Sequence, residues 1–153
     1  MKSLLMGFTL WVTCSFLLAA DEITSLTWEM MKTMDYQTGS MPDSMKELNQ
    51  QIVEVTGFIV PLEMNEYIDT VKEFLLVPDP LACIHVPPPP PNQMVYVRME
   101  TAIPLDMDLR GVAIQGELKF IHPEEGVHSF ELVGKSAKEA NIEYDDPLMD
   151  LFY

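Results

Sequence analysis

The sequence predicts a mainly β protein folded as a small barrel. Short runs rich in β-branched and aromatic residues recur between positions 51 and 133, with turn-forming residues between them. Gly57 and Gly116 fall inside two of these runs, where a glycine lets a strand coil sharply around a narrow barrel. We therefore expect an OB-like barrel with a short N-terminal helical segment and a C-terminal helical turn. An open β-sandwich is the alternative.

The elements divide the chain into four parts. Thr27 precedes an apolar pattern in the way that an N-cap does, which predicts a short helical segment within the extension at 21–50. The barrel is expected at 51–135, and an acidic tail at 136–153 should begin with a helical turn at 136–140. The expected strands lie at 51–60, 73–77, 93–99, 111–120 and 127–133.

The first part, residues 1–20, has the layout of a secretory signal peptide. Lys2 gives a positive start, residues 4–18 are almost wholly apolar, and Ala19 and Ala20 precede the polar Asp21. A membrane span is the alternative, but the apolar run falls short of the ~20 residues that a helix needs to cross a bilayer. We expect an exported protein whose mature form does not span the membrane.

The charge restricts the partners. The chain has 24 acidic and 9 basic residues, with a formal net charge of −15. Phosphate backbones repel so acidic a protein, so no nucleic-acid partner is expected. Cations or basic proteins suit this charge, and simple solubility is the plainer explanation.

Cys83 and His85 form the main candidate for chemistry. Side chains two residues apart on an extended segment point to the same face. A thiolate and an imidazole are ligands for Zn(II) or Cu(I), and zinc sites use three or four ligands. His128 is the candidate third metal ligand, with His122, Glu63 and Asp79 as other completers. Alternatively, Cys83 is a small buried hydrophobe and His85 bonds the loop backbone.

His128 is also the candidate histidine partner of Cys83 in catalysis. It alternates with Phe130 and Leu132, which predicts that it faces inward. A thiol enzyme would need a histidine within reach of Cys83, and His128 is the candidate. Since the chain has no phosphate loop and no Ser-His-Asp arrangement, we expect no enzyme.

Five prolines at 87–91 follow the Cys-x-His pair. Proline removes a backbone donor and favours polyproline II, so the run predicts a stiff crossing between two strands. An exposed polyproline rod that docks on an aromatic groove is the alternative.

These residues resemble the DUF3299 family of exported bacterial proteins of uncharacterised function. The resemblance rests on ACIHVPPPPPNQ at 82–93, with LLVP at 75–78, VYV at 95–97, VTGFIVPL at 55–62 and TWE at 27–29. It implies a periplasmic, non-enzymatic protein that assists an ABC-type envelope transporter, with Zn(II) as the metal that it handles. A purely structural interaction module stays open as the alternative.

Overall fold

The computed structural model describes residues 23–62, 69–80, 88–140 and 142. Within these ranges the chain forms six strands and two short helices, and 3-10 turns cover Pro91–Gln93 and Leu105–Arg110. The helices are α1 (Trp28–Lys32) and α2 (Asp43–Lys46), and the strands are β1 (Thr24–Ser25), β2 (Ile52–Pro61), β3 (Thr70–Val77), β4 (Val95–Pro104), β5 (Val112–Phe120) and β6 (Phe130–Glu139).

The five long strands form a closed barrel. Their order is β2-β3-β4-β6-β5, and β2 pairs with β5 to complete the ring. All neighbours are antiparallel except β4 and β6, which run parallel. This connectivity confirms the OB-like barrel. It excludes the open sandwich, because β2 pairs with both β3 and β5 and so closes the sheet on itself, whereas the sheets of an open sandwich keep free edges.

Gly57 lies where β2 changes partners. Residues before it pair with β5, and Phe58 onward pairs with β3. A Cβ at this position would lie 2.7 Å from the Val77 carbonyl oxygen and 2.9 Å from Cζ2 of Trp28. The glycine therefore permits a close backbone approach where the barrel curves, as its position in the sequence predicts.

The N-terminal segment covers part of the barrel. Thr27 caps α1, since its hydroxyl oxygen accepts the Met30 N–H at 3.3 Å. The Trp28 indole N–H donates to the Thr56 carbonyl of β2 at 2.7 Å. Apolar residues from this segment join the barrel core and are buried there: Leu26, Met31, Met34 and Met45. The predicted helical segment is confirmed, and its methionines fill the core.

The closing helical turn expected at 136–140 is wrong. β6 continues to Glu139, which pairs with Val112, and the Ala140 N–H donates to the Gly111 carbonyl at 2.9 Å. The run Ser-Ala-Lys-Glu-Ala favours a helix locally, but pairing along the whole of β5 satisfies its backbone groups instead.

The predicted signal peptide at 1–20 lies outside the described residues, as do residues 63–68 and 81–87. In the described part of the chain, neither helix has the length and apolar character of a membrane-crossing helix.

Candidate functional site

His128 lies on the outside of the barrel, just before β6. Its ring stacks on Tyr96 of β4, with centroids 5.3 Å apart and planes 21° from parallel. Its Nε2 atom lies 3.4 Å from Oε1 of Glu131, and its side chain is only 16% exposed. A largely buried imidazole is thus held between an aromatic ring and a carboxylate.

The prediction that His128 faces inward is wrong. Phe130 and Leu132 are buried in the core, as the alternation requires, but β6 begins at Phe130. His128 belongs to the preceding connection, where the two-residue period of a strand does not apply.

Further polar side chains continue the site across β3 and β4. The Tyr96 hydroxyl donates to Oε2 of Glu73 at 2.7 Å, and Nε of Arg98 donates to Oε1 of Glu73 at 3.0 Å. The Arg98 guanidinium also lies 5.7 Å from the Tyr96 ring centroid. We call Glu73, Tyr96, Arg98, His128 and Glu131 the outer-face cluster.

Hydrogen bonding sets the protonation states at one end of this cluster. The bond from the Tyr96 hydroxyl lowers the pKa of Glu73, with Arg98 acting in the same direction. The same bond raises the pKa of Tyr96. Glu73 is therefore a carboxylate, and Tyr96 a neutral phenol, at neutral pH.

A backbone contact connects the cluster to the proline run. The N–H of Ser129, the residue after His128, donates to the Pro91 carbonyl at 3.0 Å. Cys83 and His85 themselves lie outside the described residues, as does Glu63. The residue after His128 is thus hydrogen-bonded to the last proline of the run.

Of the other predicted completers, His122 and Asp79 lie in the described part of the chain, and Glu63 does not. His122 is exposed at the start of the turn that precedes it, and its Nδ1 atom faces the Glu124 N–H at 3.5 Å. Asp79 follows the end of β3. No group of three or more potential ligands (His, Cys, Asp or Glu) that could hold a metal is found among the residues whose placement is described.

Sequence reasoning named only His128 among the members of this site and missed Glu73, Tyr96, Arg98 and Glu131. The signal for Tyr96 is the alternation along β4, where Val95 and Val97 are buried and Tyr96 and Arg98 point outward. Nothing local indicates that Glu131 meets His128, since this contact depends on how the chain enters β6.

A second polar feature lies away from this cluster. Asp108, in the connection between β4 and β5, accepts the Ile59 N–H of β2 at 2.9 Å through Oδ2. Ile59 lies beyond the part of β2 that pairs with β5. The Asp108 carboxylate therefore accepts the Ile59 N–H where β5 no longer supplies a backbone carbonyl. Oδ1 is buried and has no hydrogen-bond partner among the described residues, and burial raises the pKa of this carboxyl to about 6.

Comparison with known proteins identifies a family and a structural relative. The model of the DUF3299 family, described as a protein of unknown function, matches residues 18–142. The chain is similar to a DUF3299 family protein of known crystal structure from Pseudomonas aeruginosa PAO1. The two share 26% identity with a TM-score of 0.58, and the match covers 82% of this chain and 99% of that one.

A looser structural match is to a protein assigned as an aspartyl-tRNA synthetase in Leishmania major Friedlin. It has 11% identity and a TM-score of 0.38, and it covers 88% of this chain and 24% of that one. No curated protein matches the chain.

Proposed function

The chain belongs to the DUF3299 family, and we propose that it is a periplasmic, non-enzymatic accessory protein of an ABC-type envelope transport system. In this proposal it handles Zn(II) through Cys83, His85 and His128. The observation that carries the proposal is the placement of His128. It is largely buried, it lies beside a carboxylate, and the N–H of its neighbour Ser129 donates to the carbonyl of Pro91, the last residue of the proline run.

The donor set suits this ion. Imidazole nitrogen, thiolate sulfur and carboxylate oxygen are the ligands that zinc prefers, and three protein ligands are enough for an open site. Among the described residues, His128 supplies the imidazole, and the Glu131 carboxylate lies beside its Nε2 as a hydrogen-bond partner. A net charge of −15 favours the approach of a divalent cation.

Zinc titration of the full mature chain, in competition with a chromophoric chelator, tests the proposal. We expect about one ion per chain, with binding lost in Cys83→Ser and weakened at least about tenfold in His128→Ala. His122→Ala is the matched control, because His122 is an exposed histidine of the same connection. Its affinity should equal that of the wild type.

Two results would overturn the metal assignment. One is a dissociation constant for Zn(II) in the wild type no tighter than roughly micromolar. The other is an equal loss in His128→Ala and His122→Ala. Circular dichroism of each variant shows whether the barrel has folded.

A structural interaction module is the second candidate. It is favoured by the exposure of Pro88 and Pro90, which keep part of the proline run accessible to a partner. In that case Pro88→Ala and Pro90→Ala should abolish co-purification of an envelope partner, and Cys83→Ser should leave it intact.

A further inference from the structure

Glu131 is placed to control the ring of His128. Its carboxylate oxygen Oε1 lies 3.4 Å from Nε2 of His128, and the two side chains are 34% and 16% exposed. An ionised carboxylate can only accept hydrogen bonds, so this contact requires the proton of a neutral His128 ring to be on Nε2. The other ring nitrogen, Nδ1, then carries a free lone pair.

Strand pairing holds Glu131 in this position. In the parallel pair β4–β6, Glu131 lies opposite Tyr96, the residue on which the His128 ring stacks. In the antiparallel pair β5–β6 it lies opposite Lys119, whose Nζ is 3.8 Å from Oε2. One carboxylate oxygen therefore faces Lys119 and the other faces His128.

Tyr96 restricts the same ring in a second way. Its stacking sets the plane of the imidazole, and its own hydroxyl is held by Glu73 at 2.7 Å. Turning the His128 ring out of this plane would break both the stacking and the contact with Glu131.

We propose that Glu131 is a positioning residue that holds the proton of His128 on Nε2 and presents Nδ1 as the atom that binds the metal. The metal part of this inference rests on the proposed function. The protonation part concerns the metal-free protein and stands on the geometry alone. Metal-binding histidines generally donate their second ring N–H to a carboxylate or carbonyl, and losing that partner lowers metal affinity about 10–100-fold.

Long-range ¹H–¹⁵N NMR of the full mature protein tests the protonation part. In the metal-free wild type, at a pH where imidazoles are neutral, we expect His128 to be entirely in the Nε2–H form. In Glu131→Ala the two forms should mix as they do in free histidine. Glu131→Gln should also fail to fix the proton, because its amide can either accept from Nε2–H or donate to an unprotonated Nε2. The exposed Glu125 of the preceding turn provides the control, and Glu125→Ala should change nothing.

Loading with ¹¹³Cd tests the metal part through its coupling to ring ¹⁵N. Coupling to Nδ1, with affinity lowered about 10–100-fold in Glu131→Ala, supports the inference. An Nδ1–H form in the metal-free wild type, no response to Glu131→Ala, or coupling to Nε2 would overturn it. If no metal binds but the proton position still depends on Glu131, the positioning role is upheld and only the zinc function fails.

Discussion

Two polar regions of the molecule differ in their exposure to solvent: the pair Asn92 and Gln93, directly after the proline run, and the outer-face cluster. Asn92 and Gln93 are buried, at 7% and 6% exposure, whereas the outer-face cluster is open to solvent at Arg98 and Glu73. The Asn92 amide donates to the Met34 carbonyl at 2.8 Å, and the Gln93 amide donates to the Trp28 carbonyl at 3.3 Å. The buried pair thereby ties the N-terminal segment to the barrel.

This difference separates architecture from function. Removing a partner from a buried carbonyl costs the full desolvation of that group, whereas exposed partners exchange their bonds with water. The buried pair should therefore matter for stability, and the outer-face cluster for binding.

The largest effect on stability is expected at Asn92. Asn92→Ala leaves the Met34 carbonyl without its donor in a buried site, which should lower the free energy of unfolding by about 2 kcal/mol. Asn49→Ala is the matched control, because Asn49 also bonds the backbone, at Phe120 N, but is exposed. Equal losses in urea denaturation of the two variants would contradict the distinction between the regions.

Asp108 provides an intermediate case, since it is half-buried and, within the described part of the chain, Oδ2 alone of its two oxygens accepts a hydrogen bond. Its pKa in the folded protein, about 6, lies above the ordinary 3.8 because of burial. The ionised carboxylate therefore disfavours folding above pH 6, and this penalty disappears as the pH falls from 6 towards 4.

Asp108→Asn should remove that contribution. The difference in unfolding free energy between variant and wild type should therefore change between pH 5 and pH 8, shifting in favour of the variant at pH 8. Asp106→Asn, at an exposed position of the same connection, is the control. A constant difference between Asp108→Asn and wild type at the two pH values would show that the carboxyl does not titrate in this range.

The smallest effect is expected at Glu73. Its ion pair with Arg98 joins side chains that are 48% and 61% exposed, so Glu73→Gln should change the unfolding free energy by less than about 1 kcal/mol. Glu100→Gln, at an exposed site on β4, gives the baseline in the same denaturation series. A loss as large as that of Asn92→Ala would mean that the cluster also supports the fold.

Much of the barrel follows from local patterns. The β2 run, with Val53 and Val55 buried and Gly57 at the change of partners, is readable because a strand buries alternate residues and a glycine permits a close approach. The end of β6 is not readable in this way. Its last residues favour a helix locally, and only pairing with β5 makes them a strand.

The sequence by itself determined the class of fold, the short N-terminal helices and the family, because these depend on periodicity, capping and a continuous motif. The tertiary structure decided the surroundings of His128. Its contacts with Tyr96 and Glu131 join positions brought together by the parallel pairing of β4 with β6 and by the path of the chain into β6. Strand order and register depend on long-range packing, so a local pattern names the histidine but not its neighbours.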